Sequence, residues 1–200
     1  MSVWILIRHG ESIANAARFL SGWQDVPLTE QGRSDAVGLK PKFQALLNQL
    51  KLDLGEDAKV QLISSDLQRA VQTGELVTGS SLITQDERFR ERCFGQHQGS
   101  LKHELRRNGI MDQILSWTCE DPQIESFQQL ANRVLPAMET YTSEIVVLFA
   151  HGGVIRMILG LLEGCPLDET ARRNIPNTEP YIIKSPEQGW TSLIPKTPYE

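Results

Sequence analysis

The sequence predicts a single-domain α/β fold built on a mostly parallel central sheet. Three short apolar or β-branched runs, residues 3–7, 60–63 and 145–149, each end in polar or glycine-rich punctuation, and each leads into a stretch of helical periodicity. That alternation is what builds a parallel sheet flanked by helices.

The elements follow in chain order. After the first run comes Arg8-His9-Gly10, and residues 29–50 then read as a helix that Pro41 kinks or splits, because proline cannot donate within a helix. After the second run Ser65 and Gln68 have capping-box spacing, and Leu67, Ala70, Val71, Gly74 and Val77 repeat at helical period as a face for the sheet. Leu82-Ile83 is a weaker strand, and residues 123–141 form an amphipathic helix that contains Pro136. The third run closes with Ala150-His151-Gly152-Gly153 and continues as a buried helix over 154–162. Residues 181–184 are a second weak strand. The proline-rich end, 176–198, frays or wraps the surface, with 185–200 expected as a flexible tail.

Composition narrows the function classes. A chain of 200 residues suits one compact domain covering residues 1–200. Its formal charge of −5 excludes the overall positive field that holds nucleic-acid backbones, although a local cationic pocket is compatible with it. Cys93, Cys119 and Cys165 stand far apart without CxxC spacing, and this odd count points to a reducing compartment rather than a disulfide framework. No basic region precedes the apolar run at 3–7, and His151, two glycines and Arg156 interrupt the most apolar stretch, 145–162. The expectation is therefore a cytoplasmic protein, a monomer or homodimer, with no membrane or nucleic-acid partner.

In open parallel sheets, ligands bind outside the carboxyl ends of the strands, where helix N-termini also point. Those ends carry Arg8 and His9, then Arg69, then His151, so two arginines and two histidines should converge on one crevice. Two guanidinium forks match the oxygens of a phosphate, whose charge of about −1.5 to −2 they would roughly neutralise. Backbone N–H groups at Gly152-Gly153 can add donors. A neutral imidazole beside two cations keeps a lone pair for attack on phosphorus, so His9 can become a phosphohistidine. The leaving alkoxide needs a proton, for which a carboxyl near the bound phosphate is suited. Glu11 and the charged loop 86–91 both offer one, and residue type does not choose between them.

At this point the chain resembles a known family. Ile7-Arg8-His9-Gly10-Glu11-Ser12 with Asn15, then Gly22-Trp23, Pro27-Leu28-Thr29 and Gly32, is similar to the opening signature of the histidine phosphatase superfamily, the phosphoglycerate mutase-like proteins. Ser64-Ser65-Asp66-Leu67-Gln68-Arg69-Ala70 with Gln72-Thr73, Glu91 followed by Phe94-Gly95 and Gly99, and His151-Gly152-Gly153 continue the resemblance in the family's order over most of the chain. It implies a three-layer α/β/α sandwich. It further implies His9 as phosphorylated nucleophile, Arg8, Arg69 and His151 as the phosphate pocket, and Glu91 as proton donor, with Glu11 in support. Asn15, Ser21, Gly22, Gly152 and Lys102 become substrate-binding residues. Neither metal nor cofactor is implied, bisphosphoglycerate entering only for a mutase. His97 and His103, six residues apart, read as exposed loop residues rather than a ligand pair.

Within the family, Gly153 resembles the phosphatases, since cofactor-dependent mutases carry Asn after the second His-Gly. The expected activity is a phosphomonoesterase acting on a small phosphorylated metabolite. The alternatives are a cofactor-dependent phosphoglycerate mutase, suggested by Lys102 and by Asn174-Ile175-Pro176-Asn177 followed by Pro180, and a non-catalytic phospholigand-binding module. Specificity is expected from residues 96–125, with Gln98 where many members carry Glu. Arg18, Lys102, Arg106 and Arg107 read as solvated surface, with recognition of a second anionic group as the alternative.

Overall fold

The computed structural model describes residues 1–196. Strand β1 (Val3–Arg8) leads through the short helix α1 (Ile13–Ala16) to the long helix α2 (Glu30–Leu54). Next come β2 (Val60–Ser64), α3 (Gln68–Thr78) and the two-residue strand β3 (Thr84–Gln85). Two small helices, α4 (Lys102–Arg107) and α5 (Ile110–Ile114), precede α6 (Phe127–Glu139). The chain then forms β4 (Ile145–Ala150), α7 (Gly152–Leu162), α8 (Leu167–Arg172) and β5 (Pro180–Lys184).

The sheet order is β3-β2-β4-β1-β5, parallel throughout except for β5, which runs antiparallel to β1. The central strand β4 and its neighbour β1 read as apolar runs because both of their faces are covered. Successive side chains alternate between faces. Trp4, Leu6, Val146 and Leu148 pack with α6 and α7, whereas Ile5, Ile7, Val147 and Phe149 pack with α2 and α3. The result is the expected three-layer sandwich. A separate cluster of Leu20, Phe94, Leu105, Met111, Ile114 and Ile124 gives the segment 94–124 its own small core.

Several local expectations are corrected. Helix α2 passes through Pro41 without a break and runs on to Leu54. Ser65 does not cap α3: the cap is Leu67, with no side-chain bond, and the Ser65 hydroxyl accepts from the Leu67 amide. A capping box forms instead at α6, between Ser126 and Gln129, so that helix starts at Phe127 rather than at 123 and ends at Glu139. The weak strand lies at 84–85, and Leu82 is exposed. Residues 180–184 join the sheet as the second weak strand, and of the two alternatives for the proline-rich end it wraps, residues 185–196 packing back through buried Trp190, whose ring meets Trp4 edge-on at 5.4 Å, in place of a flexible tail from 185. The remainder of the expected tail, 197–200, lies outside the described residues.

One contact ties the fold to the strand end that bears His9. A Cβ at Gly10 would lie 2.6 Å from the Gly32 carbonyl oxygen, and a Cβ at Gly32 would fall 2.7 Å from the Glu11 amide nitrogen. Two backbones therefore touch where the turn after β1 crosses the first turn of α2. Backbone atoms on both sides cannot step aside cheaply. We expect Gly32→Ala to destabilise the protein by about 1–3 kcal/mol in urea unfolding. Gly38→Ala, on the open side of the same helix with nothing within 4 Å, should stabilise it by about 0.5–1 kcal/mol.

Candidate active site

Parallel pairing in register places the carboxyl ends of β1, β2 and β4 along one edge. The His9 amide donates to Ala150 and the Ser65 amide to Phe149, both at 3.0 Å, extending the ladder past the strands. His9 and His151 follow two neighbouring strands directly, and their ring centroids stand 5.2 Å apart at an interplanar angle of 60°. Both residues are buried. His9 Nδ1 lies 2.7 Å from the Gly10 carbonyl oxygen, an acceptor only, so Nδ1 carries the proton and Nε2 holds the lone pair. Among the described residues His151 has no hydrogen-bond partner on either ring nitrogen.

The turn carrying His9 is tied on three sides. Its carbonyl accepts from Asn177 Nδ2 at 2.6 Å, the Arg8 carbonyl accepts from the Thr178 amide at 3.0 Å, and the Gly10 amide donates to Thr73 Oγ1 at 2.9 Å. Thr73 Oγ1 in turn donates to the Arg69 carbonyl, linking the turn to α3. Asn177 escaped the residue-level reading because a donor to a main-chain carbonyl leaves no pattern in sequence, although its segment figured in the resemblance.

Arg69 could have been a surface residue paired with Asp66. It is 1% exposed, and Asp66 pairs with Arg90 instead. Its Nη atoms donate to Gly22 and Gln24 carbonyls at 2.8 and 3.0 Å, leaving Nε buried without a partner. Arg8 donates through Nη1 to the Ile175 carbonyl and likewise keeps an unpartnered buried Nε. Burial pulls the Arg69 guanidinium down to about 10, so it stays charged at neutral pH. Asn15 Oδ1 accepts from the Ser12 amide and hydroxyl, which leaves the Asn15 NH2 for a ligand. Gln98 accepts from the Trp23 amide and stands where a Cβ on Gly22 would have to go, so it shapes the 21–23 turn.

The carboxyl candidates separate clearly. Glu11 accepts from the Thr29 hydroxyl, and Asp86 pairs with Arg88 and Tyr141. Only Glu91 lines the cavity that contains His9. One Glu91 oxygen accepts from the Gly153 amide at 3.0 Å, and a Cβ on Gly153 would collide with the other. That amide, expected as a donor to the ligand, is thus spent on the carboxylate, while Gly152 remains in the cavity wall. The main chain around Glu91 is clamped: Arg133 donates to the Arg88 and Arg90 carbonyls at 2.8 and 3.2 Å and pairs with Glu125 at 2.8 Å. Glu125 also accepts from the Cys93 amide, and the Trp23 indole donates to the Glu91 carbonyl at 2.6 Å.

These groups surround a cavity of about 340 Å³ whose wall includes Arg8, His9, Asn15, Ser21, Gly22, Arg69, Glu91, Lys102 and Gly152. Lys102, substrate-binding by the resemblance, and Arg106 line it, so of the two readings of these cations solvent does not hold for them, whereas Arg18 and Arg107 are exposed away from it. Arg92 and Arg156 were missed altogether. Arg92 is 2% exposed, with its guanidinium 4.0 Å above the Phe127 ring, and Arg156 entered the sequence reading only as an interruption of an apolar run. His97 is not a free loop residue but lies 3.5 Å from Asp121, while His103 is exposed on α4.

Both site histidines are held well below the ordinary imidazole range, by burial first and then by Arg69 and other neighbouring groups, Arg8 among them. Unfolded, each would titrate near pH 6.5, so below that pH the unfolded chain binds protons that the native one refuses. Stability should therefore fall as pH drops through about 6.5, with a slope of up to about 1.4 kcal/mol per pH unit for each histidine. Urea unfolding between about pH 5 and 7 measures it, and His9→Ala should lose one histidine's share of the slope.

Comparison with known proteins gives the family and the fold. The family model described as the histidine phosphatase superfamily (branch 1) matches residues 4–195. A relative from Lactobacillus johnsonii, described as 2,3-bisphosphoglycerate-dependent phosphoglycerate mutase 2, is 27% identical, covering 89% of this chain and 90% of its own. Among solved structures, YhfR of Bacillus stearothermophilus is 29% identical with a TM-score of 0.76, covering 94% and 93% of the two chains. A mycobacterial glucosyl-3-phosphoglycerate phosphatase, at 22% identity and a TM-score of 0.72 over 92% and 93%, shares the fold. With nearly the whole chain matched and the two histidines and two arginines gathered at the strand ends, the protein belongs to the histidine phosphatase superfamily.

Proposed function

We propose that the protein is a phosphomonoesterase that works through a phosphohistidine at His9 on a small phosphorylated metabolite. The observation that carries this reading is the 2.7 Å approach of His9 Nδ1 to the Gly10 carbonyl oxygen, which can only accept and so leaves the lone pair on Nε2. Nε2 attacks phosphorus in line as the ester oxygen departs, and the spare donors of Arg8 and Arg69, with His151, take up the charge on the equatorial oxygens. Glu91 gives its proton to the departing alkoxide. It then accepts a proton from the water that breaks the P–N bond, which releases inorganic phosphate and restores His9. His151 is neutral, so it binds as a hydrogen-bond donor rather than as a counter-charge.

Phosphoglycerate mutase is the second reading. It is favoured by the names of the sequence relatives and by Lys102 in the cavity wall. Against it stands Gly153, where the resemblance gives cofactor-dependent mutases an Asn and where the Glu91 carboxylate occupies the space a Cβ would need. A phospholigand-binding module would have no need of an acid set beside a nucleophile.

A panel of phosphomonoesters, assayed with and without bisphosphoglycerate, separates the three. We expect phosphate release that bisphosphoglycerate does not require, and none from His9→Ala. Isomerisation of a phosphoglycerate in place of release would make the protein a mutase, and binding without turnover would make it a module. Glu91→Gln should lower kcat/KM by about 10²–10⁴ on alkyl phosphates and far less on p-nitrophenyl phosphate, whose leaving group needs no proton. Gly153→Ala should show the same leaving-group pattern, with a loss of about 10²-fold, because it shifts the carboxylate without removing it.

A further inference from the structure

Arg69 and Glu91 stand on different segments, α3 and the loop after β3, and one turn touches both. The Gly22 and Gln24 carbonyls accept from the two Nη atoms of Arg69 at 2.8 and 3.0 Å. Between them the Trp23 indole donates to the Glu91 carbonyl at 2.6 Å, an oxygen that Arg133 Nη2 reaches only at 3.5 Å. The turn is pinned to the start of α3, since the Gln68 amide donates to Asp25 Oδ1 at 2.7 Å and Gln68 Nε2 donates to the Asp25 carbonyl at 2.8 Å. From the other side Gln98 accepts from the Trp23 amide at 2.7 Å.

A second path closes the circuit. Arg90, next to Glu91, pairs with the carboxylate of Asp66, three residues before Arg69, and its guanidinium lies 5.1 Å over the Trp23 ring. Turn 22–25, the start of α3 and residues 90–91 are therefore joined in one ring of contacts with Trp23 inside it. Trp4, Trp117 and Trp190 are 2% exposed or less and fill the core, whereas Trp23 is 40% exposed. A ring so open to water adds little burial to the fold. What its place does secure is the main chain of Glu91.

We propose that Trp23 is a positioning residue: the turn that carries it fixes the spacing between the guanidinium that holds the phosphoryl group and the carboxyl that protonates the leaving group. The statement rests on the phosphomonoesterase reading, in which Glu91 is that acid. Trp23 touches no reacting atom and acts through Glu91.

The test compares the unaltered protein with Trp23→Phe, which keeps a ring beneath Arg90 and removes the N–H. Gly153 lies in the first turn of α7, where amides have no intrahelical partner, so the Glu91 carboxylate is its acceptor. Hydrogen exchange of that amide, and of the Arg92 amide that donates to the other Glu91 oxygen, should quicken severalfold. The kcat/KM on ethyl phosphate should fall about tenfold, and that on p-nitrophenyl phosphate by less than about twofold. In a Glu91→Gln background the same substitution should cost almost nothing, because the carboxyl through which it acts is gone. If Glu91→Gln itself shows no dependence on the leaving group, the acid role in the phosphomonoesterase reading fails, and quickened exchange upholds the positioning by Trp23 without it. Unchanged exchange overturns the positioning. So does, where Glu91 proves to be the acid, no loss, an equal loss on both esters, or a loss kept in full in Glu91→Gln.

Discussion

The site depends on the parallel pairing of β1 with β4, which runs in register from Val3 opposite Ile145 to Arg8 opposite Ala150. Because the pairing has no slip, the residues that follow the last pair, His9 and His151, emerge side by side although 141 positions separate them in the chain. A slip of β1 by one residue would invert the alternation of that strand, sending Ile5 and Ile7 to the face that packs with α6 and α7 and turning the Arg8 side chain to the opposite face. The apolar covering of both faces enforces the register, so the core that stabilises the sheet also aligns the candidate nucleophile with its neighbour.

On that frame the site gathers charge of one sign and little of the other. Arg8, Arg69 and Arg92 are buried or nearly so, and each spends donors on main-chain carbonyls that lock its position before any ligand arrives. Such fixed dipoles and cations need no reorganisation as charge develops on a phosphoryl group. The same surroundings keep the imidazoles neutral, which preserves a nucleophilic lone pair at a position where a charged histidine would have none. The Glu91 carboxylate is positioned by the Gly153 and Arg92 amides and its loop by the clamp of Arg133, and it forms no ion pair among the described residues, so it is aimed without being locked to a cation. The formal charge of −5 therefore says nothing about the site. The negative charge belongs to the body, while the cavity wall is strongly cationic, and a focused local field rather than the bulk charge draws in an anion.

The sequence by itself determined the three parallel strands, the helices that cover them, and the convergence of Arg8, His9, Arg69 and His151 at one edge. Each of these follows from local periodicity and from the one-directional geometry of a parallel sheet. It did not place α1, α4 and α5, which are short and owe their stability to packing rather than to pattern. It left Glu11 and the loop 86–91 equal as carboxyl sources until the family resemblance favoured Glu91. Only the tertiary structure puts Glu91 in the cavity wall, chooses the wall over solvent for Lys102 and Arg106, brings Arg156 there from its place as an interrupting charge, and spends the Gly153 amide on a carboxylate. Those decisions join segments 50 or more residues apart through single contacts. A contact of that kind leaves no period in the chain, because it depends on where two separately folded loops meet.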